Sequence, residues 1–150
     1  MSKNNTYSFL LIIFFTILGC KSSQNISVKI SNQKLDKFLS GFEKAVLKHN
    51  ASEIMSFMDE SYVKEQHDEF LAGRTDQFLN EFFCGTTLKT NDFKCLNYDS
   101  ILKIKLINVV QTNDSNYKVF YNISNKHITI SAAFILLNNN NTFGFVKAYG

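Results

Sequence analysis

The chain has 150 residues, of which 45% are hydrophobic and 19% are charged, and its net charge is +3. This length suits one domain, and the balance of apolar and charged residues excludes collagen-like and strongly disordered proteins. The small net charge and the single arginine, Arg74, argue against a nucleic-acid surface, so we expect no nucleic-acid partner.

The first twenty residues have the order of an export signal. Lys3 and the amino terminus supply positive charge, and residues 7–18 form an uncharged apolar run. This run of twelve residues is shorter than the roughly 20 needed to cross a bilayer. We therefore predict the core of a cleaved signal peptide rather than a permanent membrane span.

The run ends at Ile17-Leu18-Gly19-Cys20, which resembles the lipobox of bacterial lipoproteins, with Ile17 where that family more often has leucine. The resemblance implies cleavage after Gly19 and attachment of palmitate-type acyl chains to Cys20. Two or more acyl chains hold a protein stably on a membrane. The alternatives are an ordinary secretory signal, in which Cys20 is a bystander, and a cytosolic protein with an apolar N-terminal helix.

The residues after Cys20 bear on the choice of membrane. Lys21 stands where lipoproteins retained at the inner membrane carry aspartate, and the tether lacks the acidic run of surface-exported Bacteroidota lipoproteins. The resemblance therefore implies the periplasmic leaflet of the outer membrane. We predict a signal peptide at 1–19, a lipidated cysteine and tether at 20–32, and a single domain at 33–150.

Four amphipathic helices are predicted for the first half of the domain, because apolar residues recur there at helical spacing. The helices are expected over 33–48, 51–58, 60–72 and from Thr75 or Asp76 to Cys84. The first has the clearest apolar face, formed by Leu35, Phe38, Leu39, Phe42, Ala45 and Val46.

The pattern then changes to alternation, which predicts four strands over 101–111, 117–123, 127–137 and 142–149. Short polar connections favour an antiparallel meander with the third strand inside the sheet. Helices followed by strands imply an α+β fold in which the N-terminal helices pack on the C-terminal sheet. We expect Phe42 and Phe134 to be buried at this contact.

The order and size of these elements resemble the nuclear-transport-factor-like (SnoaL-type) superfamily, small cone-like domains whose curved sheet wraps over helices. This resemblance covers residues 33–149 and implies a cavity beneath the sheet, with room for an extra strand within 86–100. The segment from Phe57-Met58-Asp59 to Phe82-Phe83-Cys84-Gly85 also resembles Bacteroidota lipoproteins, which implies a lineage rather than an activity.

Cys84 and Cys95 bracket ten residues that follow the predicted fourth helix. Export would place them in a compartment where disulfides persist, and a bridge across such a loop stabilises a fold by about 3 kcal/mol in the chain-entropy model. The alternatives are two free buried thiols or half of a metal site. This spacing is not that of a zinc site, so we predict a disulfide and no metal. We also expect no cofactor, because no P-loop, G-x-G-x-x-G or EF-hand string appears in the chain.

Three residues of the predicted third helix are candidates to line the cavity: Tyr62, Gln66 and His67. A histidine beside a tyrosine can act as an acid/base pair, but a histidine on the flank of a helix more often bonds to water or backbone. We assign no catalytic residue and expect a non-catalytic binding or structural domain. The alternatives are an immunity or inhibitor lipoprotein against a periplasmic toxin and a small SnoaL-like enzyme that uses the cavity.

Charge is unevenly distributed along the chain. Residues 59–81 carry seven acidic side chains against Lys64 and Arg74, whereas residues 86–150 carry seven lysines against three aspartates. Such blocks are usually solvated faces, and they can also steer a protein partner. The sequence therefore predicts two partners, the membrane through Cys20 and a protein through the charged faces.

Overall fold

The computed structural model describes residues 32–65, 73–84 and 96–149. These residues form α1 (Gln33–Leu47), α2 (Ala51–Met55), α3 (Glu60–Glu65), α4 (Thr75–Cys84), a 3-10 turn (Tyr98–Ser100), β1 (Lys103–Asn113), β2 (Asn116–Ser124), β3 (Thr129–Asn139) and β4 (Thr142–Tyr149). The predicted signal peptide and almost all of the tether lie outside them. Within the described ranges, no helix is both long and apolar enough to cross a membrane.

The four strands form one antiparallel sheet in the order β1-β2-β3-β4, which confirms the α+β class, the meander and the inner position of β3. Asn140 and Asn141 make the β3–β4 turn with positive φ angles of 54° and 67°. Asparagine tolerates this left-handed conformation, which explains how a chain without proline turns here. The observed β1 begins at Lys103, two residues later than predicted.

Helix α1 matches its prediction. The side chain of Asn32 accepts hydrogen bonds from the backbone amides of Lys34 (3.0 Å) and Leu35 (3.2 Å), which satisfies two of the free amides at the helix start. The helix ends before His49, whose φ of 54° turns the chain. Its apolar face is buried at Leu35, Leu39, Phe42, Ala45 and Val46.

The second helix is shorter than predicted, because α2 ends at Met55 and not at residue 58. The next residues run along the edge of β4 instead: the Phe145 amide donates to the Phe57 carbonyl, and the Asp59 amide donates to the Phe145 carbonyl, both at 2.9 Å. Gly144 permits this approach, since a Cβ there would lie 2.6 Å from the Cα of Asp59. The fourth helix begins and ends as predicted, and α3 begins at Glu60 as predicted, with residues 66–72 outside the described part.

The core lies on one face of the sheet, which we call the inner face. The Phe42 ring of α1 lies 4.5 Å from the Phe145 ring, 6.0 Å from Phe134 and 6.1 Å from Tyr121, measured between centroids. All four side chains are 0% exposed. The predicted burial of Phe42 and Phe134 is confirmed.

The 3-10 turn that precedes β1 is fixed to α4 by polar contacts. The Tyr98 hydroxyl donates to Oδ1 of Asp76 at 2.7 Å, and the Tyr98 amide donates to Oδ1 of Asn80 at 2.9 Å. The hydrogen bond to Asp76, burial and the nearby negative charges raise the pKa of Tyr98 to about 12. Of the stretch considered for an extra strand, residues 96–100 contain this 3-10 turn and no strand.

Candidate functional site

A cleft of about 470 Å³ opens at the β4 edge of the sheet, and we call it the edge cleft. Its aromatic wall comes from Tyr62 on α3 and from Phe78 and Phe82 on α4. The Tyr62 and Phe78 rings are 5.5 Å apart, and Phe78 stacks on Phe82, one helical turn further along, at 6.3 Å. Aromatic residues four apart share one side of a helix, so the sequence of α4 itself builds this wall.

Charged groups surround this wall. Glu65 and Glu81 line the cleft from the two helices, and Lys147 lines it from β4. Burial, followed by the negative charges of Glu65 and Glu81, raises the pKa of Tyr62, so its hydroxyl stays protonated and can donate a hydrogen bond. Oε1 of Glu81 accepts from Nε2 of Gln77 at 3.0 Å.

A second cleft, of about 570 Å³, lies beside the first and shares Ser61 with it. Asp59 is committed to local contacts here. Its Oδ1 accepts from both the amide (2.9 Å) and the hydroxyl of Ser61, and its Oδ2 accepts from Nδ2 of Asn139 at 3.5 Å. These bonds hold the start of α3 against the β3–β4 turn, so we assign this carboxylate a structural role.

Of the site residues predicted from the sequence, only some lie in the described part of the chain. Tyr62 lines the edge cleft, whereas Gln66, His67, Gly19 and Cys20 lie outside the described residues. Their roles stay predictions.

Cys84, the last residue of α4, is disulfide-bonded, and its partner lies outside the described residues. Its pairing with Cys95 therefore stays a prediction. Phe78, Glu81 and Lys147 line the edge cleft as well, although the sequence pattern did not predict them as cleft residues. The first two are visible on one helix, but only the fold brings Lys147 to them.

Neither described histidine lines either of these two clefts. Nε2 of His49 lies 2.7 Å from the Ile101 carbonyl oxygen, which ties the end of α1 to the entry of β1. His127 is exposed in the β2–β3 turn. In the described part of the chain, no three His, Cys, Asp or Glu side chains are grouped so that they could hold a metal ion.

Two polar side chains with raised pKa values lie where α1 meets the sheet, the buried Tyr121 and the half-buried Glu43. The Tyr121 hydroxyl has no hydrogen-bond partner among the described residues, and burial and the charge of Glu43 raise its pKa. Burial also raises the pKa of Glu43, while the Leu106 backbone amide lowers it. Neither residue lines either cleft, so we do not assign them to a site. The buried hydroxyl without a partner instead lowers the stability of the core.

The face of the sheet opposite the core, which we call the outer face, is a second candidate surface. Cross-strand partners place Val110, Lys118, Ile135 and Lys147 in one row over all four strands. The neighbouring rows contain Lys103, Lys105 and Phe120. The only acidic residue between 101 and 149 is Asp114, in the β1–β2 turn. The outer face is therefore basic.

No protein-family model matches the chain, and no curated protein matches its sequence. The function proposed for the chain is therefore derived from its own residues, chiefly the two clefts, the outer face and the N-terminal motif.

Proposed function

We propose that the chain is a lipoprotein, anchored through acylated Cys20 to the periplasmic leaflet of the outer membrane, whose non-catalytic domain binds a partner protein. The observation that carries this proposal is the separation of charge on the domain. The side that includes the edge cleft carries the carboxylates, and the outer face carries Lys103, Lys105 and Lys118 on β1 and β2, the strands farthest from that cleft. Asp59, Glu60, Glu65 and Glu81 line the two clefts of that side, against Lys64 and Lys147.

The edge cleft suits a basic side chain of such a partner, because two carboxylates, Glu65 and Glu81, line it against one lysine, Lys147. A cation near an aromatic face is attracted by the ring, and the exposed carboxylates of Glu65 and Glu81 add a second attraction. Complementary charge mainly raises the association rate and the specificity. An inhibitor of a basic toxin would use the same cleft in the same way.

The fold and the sulfur chemistry support the wider proposal. Helix α1 contacts the inner face of the antiparallel sheet through Phe42, as expected for a SnoaL-type cone, and we propose that architecture for the domain. A disulfide at Cys84 supports a location outside the cytoplasm, because cytoplasmic thiols are kept reduced.

The anchor is tested by metabolic labelling with a fatty-acid analogue. Wild type should incorporate the label, and Cys20→Ala should incorporate none and accumulate as uncleaved precursor. Cys84→Ser/Cys95→Ser is the matched control, since it removes the other two cysteines and keeps Cys20. Equal labelling of wild type and Cys20→Ala would contradict the anchor.

The partner is tested in intact cells with a photoreactive side chain at Ser61, the residue shared by the two clefts, and with a control at Lys34, exposed on α1. We expect one discrete adduct from position 61 and none from position 34. Glu65→Gln/Glu81→Gln should weaken the adduct, because it removes both charges. The same adducts from both positions would contradict a binding role for the cleft.

A further inference from the structure

The register of the sheet places three lysines on one face of β1 and β2. Lys103 pairs with Ser124, Lys105 with Asn122, and Lys118 with Val110. Directly opposite residues of an antiparallel pair point to the same side, so these lysines lie on the outer face. Lys147 extends the row of Lys118 to β4.

Apolar side chains lie in the row of Lys118 and in the row next to it. Val110 is 42% exposed, and the half-buried Phe120 lies beside Lys118, whose Nζ is 5.8 Å from the ring centroid. Lysine can keep its aliphatic stem on apolar surface while its ammonium group reaches outward. The outer face therefore combines an apolar centre with cations that extend beyond it, which is the composition of surfaces that rest on anionic lipid.

The proposed anchor keeps this face near lipid. Residues 21–32 separate Cys20 from α1, and twelve residues span at most about 40 Å when fully extended. An acylated domain thus stays close to the headgroups, where anionic lipid attracts basic residues within about a Debye length.

We propose that the outer face docks on the anionic headgroups of the membrane that holds the chain, with β1 and β2 closest to the lipid. This inference rests on the proposed anchor, which keeps the domain near the surface. The carboxylates beside the β4 edge are repelled by the same headgroups, which favours contact through Lys103, Lys105 and Lys118. The edge cleft then remains accessible to a protein partner.

The test uses the absence of tryptophan from the chain. Phe120→Trp places one fluorophore on the outer face, and Gln77→Trp, at an exposed position of α4, is the matched control. The membrane-extracted protein is reconstituted into vesicles of phosphatidylcholine alone or mixed with phosphatidylglycerol, both containing brominated lipid as quencher. Val110→Trp is a second position on the same face if Phe120→Trp fails to fold.

We expect quenching of the indole introduced by Phe120→Trp to rise about threefold in the anionic vesicles and to fall back in high salt, which screens exposed charges. The Gln77→Trp control should change little. Equal quenching in the two kinds of vesicle would overturn the proposal. If the indole is shielded from solvent in native membranes but is not quenched in protein-free anionic vesicles, the proposal would also be overturned, in favour of an acidic protein partner.

The two proposals fail separately. Loss of the anchor appears as failure of the protein to float with neutral vesicles, whereas loss of docking changes only the quenching of protein that does float.

Discussion

The two faces of the sheet are built from alternate residues of the same strands and differ in almost every property. The inner face buries Tyr121, Phe134 and Phe145 completely against α1, whereas the outer face carries lysines around the half-buried Phe120. Because side chains alternate along a strand, one sequence can satisfy two environments at once. The comparison separates the residues that stabilise the fold from those available for contact.

The largest expected effect separates the two faces directly. Phe134→Ala should lower the free energy of unfolding by about 3–5 kcal/mol, because it leaves a cavity among packed rings. Phe120→Ala should cost about 1 kcal/mol, since its ring is already partly solvated. Urea unfolding of both variants measures the difference. Equal losses would contradict the division between the faces.

The second prediction concerns stability that does not come from the inner face. Reduction of the disulfide at Cys84 should lower the free energy of unfolding by about 3 kcal/mol, if the bridge closes the loop to Cys95. Cys84→Ser/Cys95→Ser should match the reduced wild type and should not respond to reductant. Stoichiometric thiol labelling of both cysteines in the native protein would contradict the bridge.

A hydrogen bond outside the sheet should make stability depend on pH. The Tyr98 pKa is raised to about 12 in the folded protein, so the neutral phenol is favoured by folding. This contribution is complete below the ordinary pKa of about 10 and is lost as the pH rises towards 12. The unfolding free energy of wild type should therefore exceed that of Tyr98→Phe by about 1 kcal/mol at pH 8, with the difference shrinking above pH 10. A difference independent of pH would contradict the bond to Asp76.

The smallest effect should have the opposite sign. Tyr121→Phe removes a buried hydroxyl that lacks a partner among the described residues, so it should leave stability unchanged or raise it by up to about 1 kcal/mol. Thermal unfolding measures this change. Tyr98→Phe is the control, because it removes a hydroxyl that does have a hydrogen-bond partner. A clear loss of stability in Tyr121→Phe would show that the hydroxyl has a partner.

Periodicity predicted the elements well, because burial of one face leaves a regular trace in the sequence. The stripe of α1 and the alternation around Phe134 both identified buried residues correctly. Periodicity gave the wrong structure at Phe57, because the apolar residues there fit a helix and a sheet edge equally well. The backbone hydrogen bond to Phe145 places this segment along the sheet edge.

The candidate surfaces were harder to predict. The edge cleft joins α3 and α4 to Lys147, more than sixty residues away from Glu81 in the chain, and no local pattern encodes that approach. Predicting which lysines lie together on the outer face requires the strand register. That register depends on the bulge between Leu106 and Asn108 as well as on the alternation of side chains.

The most direct test of the central claim reverses charge on the outer face and measures two properties of one protein. Lys105→Glu/Lys118→Glu is added to the Phe120→Trp chain, and Lys34→Glu/Lys37→Glu on α1 serves as the matched control. We predict that the outer-face reversal abolishes quenching by anionic vesicles and leaves the free energy of unfolding within about 1 kcal/mol of the parent, whereas the control retains the quenching. Undiminished quenching, or a loss of stability as large as that of Phe134→Ala, would contradict the claim that this face serves contact and not folding.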